Sequence, residues 1–193
     1  MKFLQAANYT PATHRDINLL VIHDMEAPEK GDTAESCAEF FHNQPHSSAT
    51  GSSAHYCIDN NSIVQCVRDH DVAWAAPGAN HDGLHFEHAG YARQSKHEWA
   101  DDYSTEMLKR SAQLVARKAT HHHIPIVFLS ADDVKAGHAG ITGHLQITES
   151  GIGGPAGTHT DPGTNFPWHR YIRYVKAYAA GHEPADFVGH ETR

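Results

Sequence analysis

The chain has 193 residues, 39% of them hydrophobic and 20% charged, which suits a single well-packed domain. Its formal net charge is -8 with no run of Lys or Arg, which excludes a surface built on clustered cations to hold nucleic acid or an anionic membrane. No stretch approaches the roughly 18 apolar residues of a membrane span.

Three cysteines, Cys37, Cys57 and Cys66, are too few for a disulfide scaffold, and no Cys-x-x-Cys pair offers a thiolate zinc site. The opening MKFLQAANYT lacks the apolar core of a signal peptide, so the expectation is synthesis in the cytoplasm with reduced thiols. A target outside the cell would then need a separate means of release. The compositional anomaly is histidine, with 19 copies.

In chain order, INLLVIH (Ile17 to His23) is a short β-branched run, the pattern of a buried strand that ends on a histidine. TAESCAEFFHN follows as a helix, with Thr33 as N-cap and Ala34, Cys37, Phe40 and Phe41 on one face. AHYCIDNNSIVQCV reads as a hairpin around Asn60-Asn61 that sets Cys57 and Cys66 diagonally on one face. A bridge between them is compatible with that register and not required by it.

GLHFEH is a short extended piece, and Met107, Leu108, Ala112, Val115 and Ala119 mark the apolar stripe of a helix from Ser104 to about His122. IPIVFLS reads as another buried strand, and GITGHLQI as a turn entering a loop. A last helix runs from Pro167 to about Ala180 with Tyr171, Val175 and Tyr178 inward. Strands and helices interleave, which predicts an α/β fold with a mixed central β-sheet flanked by helices. Residues 1–180 form the domain, and 181–193 a polar tail that reads as a linker stump.

Within GTHTDPGTNFPW (Gly157 to Trp168), His159 and Asp161 stand two apart before a Pro-Gly turn. His23 closes the first strand, His144 falls in a loop after the last one, and Asp161 sits in this motif. Such positions gather at the strand ends of an α/β sheet. Two imidazoles and one carboxylate leave zinc a fourth position for water, as catalytic sites do. A structural role for a lone strand-end His23 stays open at this point.

LLVIHDM, SSAHYCIDNNSIVQCV, DVAWAAPG, LHFEHAG, GITGHLQI and HTDPGTNFPW follow one another in the order seen in zinc-dependent N-acetylmuramoyl-L-alanine amidases of the type 2 class. That class includes phage lysins and peptidoglycan-recognition proteins, and the resemblance runs from about Ile17 to Tyr178. It implies a zinc cofactor held by His23, His144 and Asp161, where some members have Cys in the last place. It implies that Glu87 moves the proton and that His159, Lys in many members, faces the substrate. Where other members carry Tyr before the His of AHY, this chain has Ala54, which puts more weight on Glu87. Thr160 is expected to point away.

The expected substrate is peptidoglycan, cut between N-acetylmuramic acid and L-alanine by a monomer. Trp74 reads as a groove wall or a core residue, and His55 as a substrate neighbour or a structural residue. His81, His85 and His88 surround Glu87 in sequence, with surface polarity the expectation for at least two. A phage lysin that acts on the wall after release is the expected setting. A wall-recycling amidase and a peptidoglycan-binding module without catalysis are the alternatives, the latter opposed by the complete ligand set.

Overall fold

A computed structural model describes residues 1–47, 49–154 and 159–185. The strands are β1 (Lys2–Phe3), β2 (Tyr9–Thr10), β3 (Leu19–Asp24), β4 (Tyr56–Ile58), β5 (Ile63–Gln65), β6 (Val72–Ala73), β7 (Gly83–His88) and β8 (Gly140–Gly143). The helices are α1 (Thr33–Asn43), α2 (Asp102–His121), α3 (Ala131–Lys135), α4 (His144–Ser150) and α5 (Trp168–Ala179).

Six strands form one mixed sheet in the order β1-β5-β4-β7-β3-β8, and β2 pairs with β6 in a small second sheet. β4, β7, β3 and β8 run parallel, while β5 returns antiparallel to β4 in the expected hairpin. The fold is the mixed α/β sheet with flanking helices that the sequence predicts.

Period-two alternation divides the sheet into two faces. Leu20, Ile22, Tyr56, Ile58, Leu84, Phe86 and Ile141 share one cluster with the apolar residues of α2 and α5. Each such side chain, fully buried, contributes about 1.5–3 kcal/mol, so this side anchors the domain. On the opposite face α1 covers Cys57, Val64 and Cys66, while Leu129, Val134 and Ile147 cover Leu19 and Val21. Between those two coverings lies the stretch of β3 and β7 that carries polar residues inward.

Four expectations need correction. Phe40 is 61% exposed, and Ala38 takes the buried place on α1 beside Ala34 and Phe41. Thr33 is the first helical residue rather than a cap, its hydroxyl donating to the Pro28 carbonyl. IPIVFLS is no strand: only Phe128 makes an isolated bridge, to Ile141, and Pro125 has no N–H to give a ladder. GITG, expected as a turn, is the edge strand β8, and His144 opens α4 directly after it.

Helix α5 buries Tyr174 with Tyr171 and Val175, whereas Tyr178 is only partly buried. Residues 181–185 carry neither helix nor strand, and the rest of the expected tail, 186–193, lies outside the described residues.

Candidate active site

The parallel register sets His23 opposite Glu87 and Val21 opposite His85. Residues 23, 85 and 87 therefore share one face at the carboxyl ends of adjacent strands, where α/β sheets open into their sites. β8 ends next to them, and His144 follows at once as the first residue of α4. The Leu145 N–H donates to the Asp161 carbonyl at 2.7 Å, which ties the loop bearing Asp161 to the start of the same helix. Gly163 turns that loop at φ 91°, and a Cβ there would stand 2.0 Å from the Ala92 carbonyl oxygen. Only glycine fits that approach.

Asp161 stands between two imidazoles. Its Oδ2 is 3.0 Å from His23 Nδ1, and its Oδ1 is 3.2 Å from His144 Nδ1. One donor atom from each of the three residues lies within 4.8 Å of the others, and all three residues are buried. The two histidines hold the Asp161 carboxyl far below the ordinary carboxylate range, although burial pushes the other way. Burial lowers His23, so its imidazole is neutral beside an ionised carboxylate. Two imidazoles and one carboxylate are the donors a divalent zinc takes.

Glu87 lines the cavity next to this triad, and its Oε2 has no hydrogen-bond partner among the described residues. Burial pushes its carboxyl well above 4.5, and the nearby Cys37, Asp161 and Asp24 add to the shift. A carboxyl whose pKa burial raises from the ordinary carboxylate range is a better proton acceptor than a solvated one, and suited to proton transfer. His159 stacks on His144 with ring centroids 4.1 Å apart and leaves 58% of its side chain exposed. Burial and the neighbouring His144 lower its pKa, so a neutral ring faces the cavity.

The cavity, about 340 Å³, is also lined by Phe41, Ser52, Ser53 and Trp74. Trp74 is thus a wall residue, its indole N–H held by Thr10 Oγ1 at 2.9 Å. Thr160 lines the cavity as well, rather than pointing away. Among the described lining residues none is Lys or Arg.

His55 does not reach the cavity. It is fully buried, one layer behind. The His85 backbone N–H can only donate, so His55 Nδ1 accepts it at 3.0 Å. Arg15, itself buried, places Nη2 2.8 Å from His55 Nε2 and donates to the Asp69, His81 and Gly83 carbonyls. Burial first, then the guanidinium, depress His55 to about 3. Its hydrogen bonds tie it to β7 and Arg15, away from the cavity lining.

His85 and His88 are also fully buried, against the expectation of surface polarity; His81 alone is exposed. His88 Nδ1–H must donate to the His23 carbonyl at 2.9 Å, since a carbonyl can only accept. Its Nε2 then accepts from Ser111 at 2.6 Å, and Ser111 accepts from the Tyr171 hydroxyl at 2.7 Å. This chain fastens the backbone of His23 to α2 and α5.

Sequence reasoning also passed over Asp24, which lines the cavity 6% exposed, with Oδ2 unpartnered among the described residues. Burial and Asp161 raise its carboxyl to about 8.

These features belong to a defined class. The profile of the N-acetylmuramoyl-L-alanine amidase family, Amidase_2, matches residues 13–164, and the chain is a member of that amidase family. The chain is 27% identical over 177 residues to N-acetylmuramoyl-L-alanine amidase A of Achromobacter lyticus, covering 88% of this chain and 89% of that one. Its fold is shared with the Staphylococcus aureus hydrolase AmiA, solved with its ligand, at a TM-score of 0.62 and 13% identity, over 97% and 88% of the two chains. A mutant endolysin from Bacillus subtilis aligns at a TM-score of 0.60 and 15% identity, over 90% and 97%.

Proposed function

We propose that this amidase hydrolyses the bond between N-acetylmuramic acid and L-alanine in peptidoglycan, with zinc held by His23, His144 and Asp161. The observation that carries the reading is Asp161 set between His23 Nδ1 and His144 Nδ1 beside the unpartnered carboxyl of Glu87. When bound there, zinc supplies Lewis acidity and a water whose pKa falls to about 7.

The protein's own groups supply the rest. Glu87 takes a proton from the attacking water as the new C–O bond forms, then hands it to the nitrogen as the C–N bond breaks. The low-dielectric setting that raises its pKa favours that second, acidic role. His159, neutral and cavity-facing, offers an N–H to the negative charge that develops on the former carbonyl oxygen. Trp74 gives the substrate a flat apolar wall, and Ser52 and Ser53 give it hydroxyls.

The groups that would carry the reaction come from one chain, which suits a monomer. For the cellular role we propose lysis of the wall by a phage endolysin, a reading supported by the fold shared with an endolysin from Bacillus subtilis. The test is mass analysis of fragments released from purified wall: free stem peptides with an L-alanine amino terminus support the reading. Clearing of intact walls supports the lytic role, whereas turnover of soluble muropeptides alone would assign the protein to recycling.

A further inference from the structure

His85 belongs neither to the triad nor to the cavity lining, yet it is placed with care. Its ring is fully buried between two others, 5.2 Å from His23 and stacked at 5.7 Å on His55. His85 Nδ1 lies 3.0 Å from His23 Nε2, the ring nitrogen facing away from Asp161. A Cβ at Gly83 would stand 2.4 Å from the Ala79 carbonyl oxygen and 3.0 Å from His85 Nε2, so the start of β7 packs closely on the ring. The backbone N–H of His85 is itself pinned by His55.

From this geometry we propose that His85 is a positioning residue for the metal ligand His23, and this rests on the zinc reading above. A neutral imidazole that ligates through Nδ1 carries its proton on Nε2 and needs an acceptor there. His85 Nδ1 is that acceptor. The same atom can also serve the metal-free protein. There the ionised Asp161 draws the His23 proton onto Nδ1, leaving Nε2 to accept from His85 instead. An imidazole can take either part, whereas a carboxylate could only accept and an ammonium only donate. The orphaned His85 Nε2, which has no partner among the described residues, carries the ring's single proton when Nδ1 accepts.

The test compares zinc affinity, by competition with a chromogenic chelator, in wild type, His85→Leu and His85→Asn. Leucine fills the space without a polar atom, and asparagine places an oxygen or amide nitrogen about where Nδ1 stands. Loss of an outer partner of this kind weakens metal binding about 10–100-fold. His85→Leu should show that loss, and His85→Asn should recover most of it. In parallel, nitrogen-15 NMR of zinc-loaded wild type should find His23 protonated at Nε2, a readout that holds even should the leucine variant not fold. Equal affinity in all three proteins, or a His23 protonated at Nδ1 in the loaded state, would overturn the proposal while leaving the zinc reading intact. Wild type that takes up no zinc would instead overturn the zinc reading itself, and this inference with it.

Discussion

His23 and Glu87 are register partners on the adjacent parallel strands β3 and β7. One strand pair thus delivers the proposed metal donor and the proposed proton-transfer group to the same edge of one cavity. Neighbouring strands lie about 4.8 Å apart, so the two side chains reach one cavity from strands rather than from loops.

Replacing Glu87 by Gln should therefore separate the two roles. The amide has the same shape but cannot carry the proton. Metal content and melting behaviour should stay as in wild type, while turnover falls about 10²–10⁴-fold. Near-normal turnover would move the proton transfer to another group, with Asp24 the first to test because it too is buried against the cavity with a raised pKa.

For His159 the stacked, exposed position predicts a role in turnover alone. His159→Ala should keep its metal and lose about 10²–10³ in turnover, the usual cost of one oxyanion donor. His159→Lys should recover part of that. A variant that loses the metal would make His159 a ligand.

His88 provides a pH test whose sign is fixed. Burial holds it at about 4 in the folded protein against 6.5 for a free histidine. Below 6.5 the unfolded state binds the extra proton, so this group's contribution falls as pH drops toward 4. Asp24, raised to about 8, titrates in the opposite sense, so a variant comparison is needed to isolate His88. The stability gap between wild type and His88→Gln, from urea unfolding, should shrink below pH ~6.5 by up to ~1.4 kcal/mol per pH unit. A gap independent of pH would refute the buried, neutral assignment.

The thiols give a chemical check on the hairpin. Cys57 and Cys66 lie diagonally with Sγ atoms 3.7 Å apart, and all three cysteines are free. Burial pushes the Cys57 thiol well above its ordinary range. A thiol reagent should modify half-buried Cys37 first and find three thiols after unfolding without reductant. A count of one would show that the pair oxidises.

The grouping of His23, His144 and Asp161 was legible from the family resemblance and from two local patterns, His23 after a β-branched run and Asp161 before Pro-Gly. β8 was missed because GITG is short and glycine-bounded, and strand propensity says little about an edge strand of four residues. IPIVFLS misled for the opposite reason, since its apolar run is spent on a connection between α2 and α3 with Val127 and Phe128 exposed. The buried histidines were legible in principle. Alternation along GLHFEH places His85 with Glu87 and His88 behind it, but sequence alone does not say that both faces of β7 are covered.

The central claim is that His23, His144 and Asp161 hold one zinc per chain that the reaction needs. Metal analysis of the gently purified protein, beside Asp161→Ala, tests it most directly. Wild type should carry about one equivalent of zinc, lose activity to a chelator and regain it on zinc addition, while Asp161→Ala should lose both metal and activity. Full activity in metal-free wild type, or zinc retained by Asp161→Ala, would contradict the account.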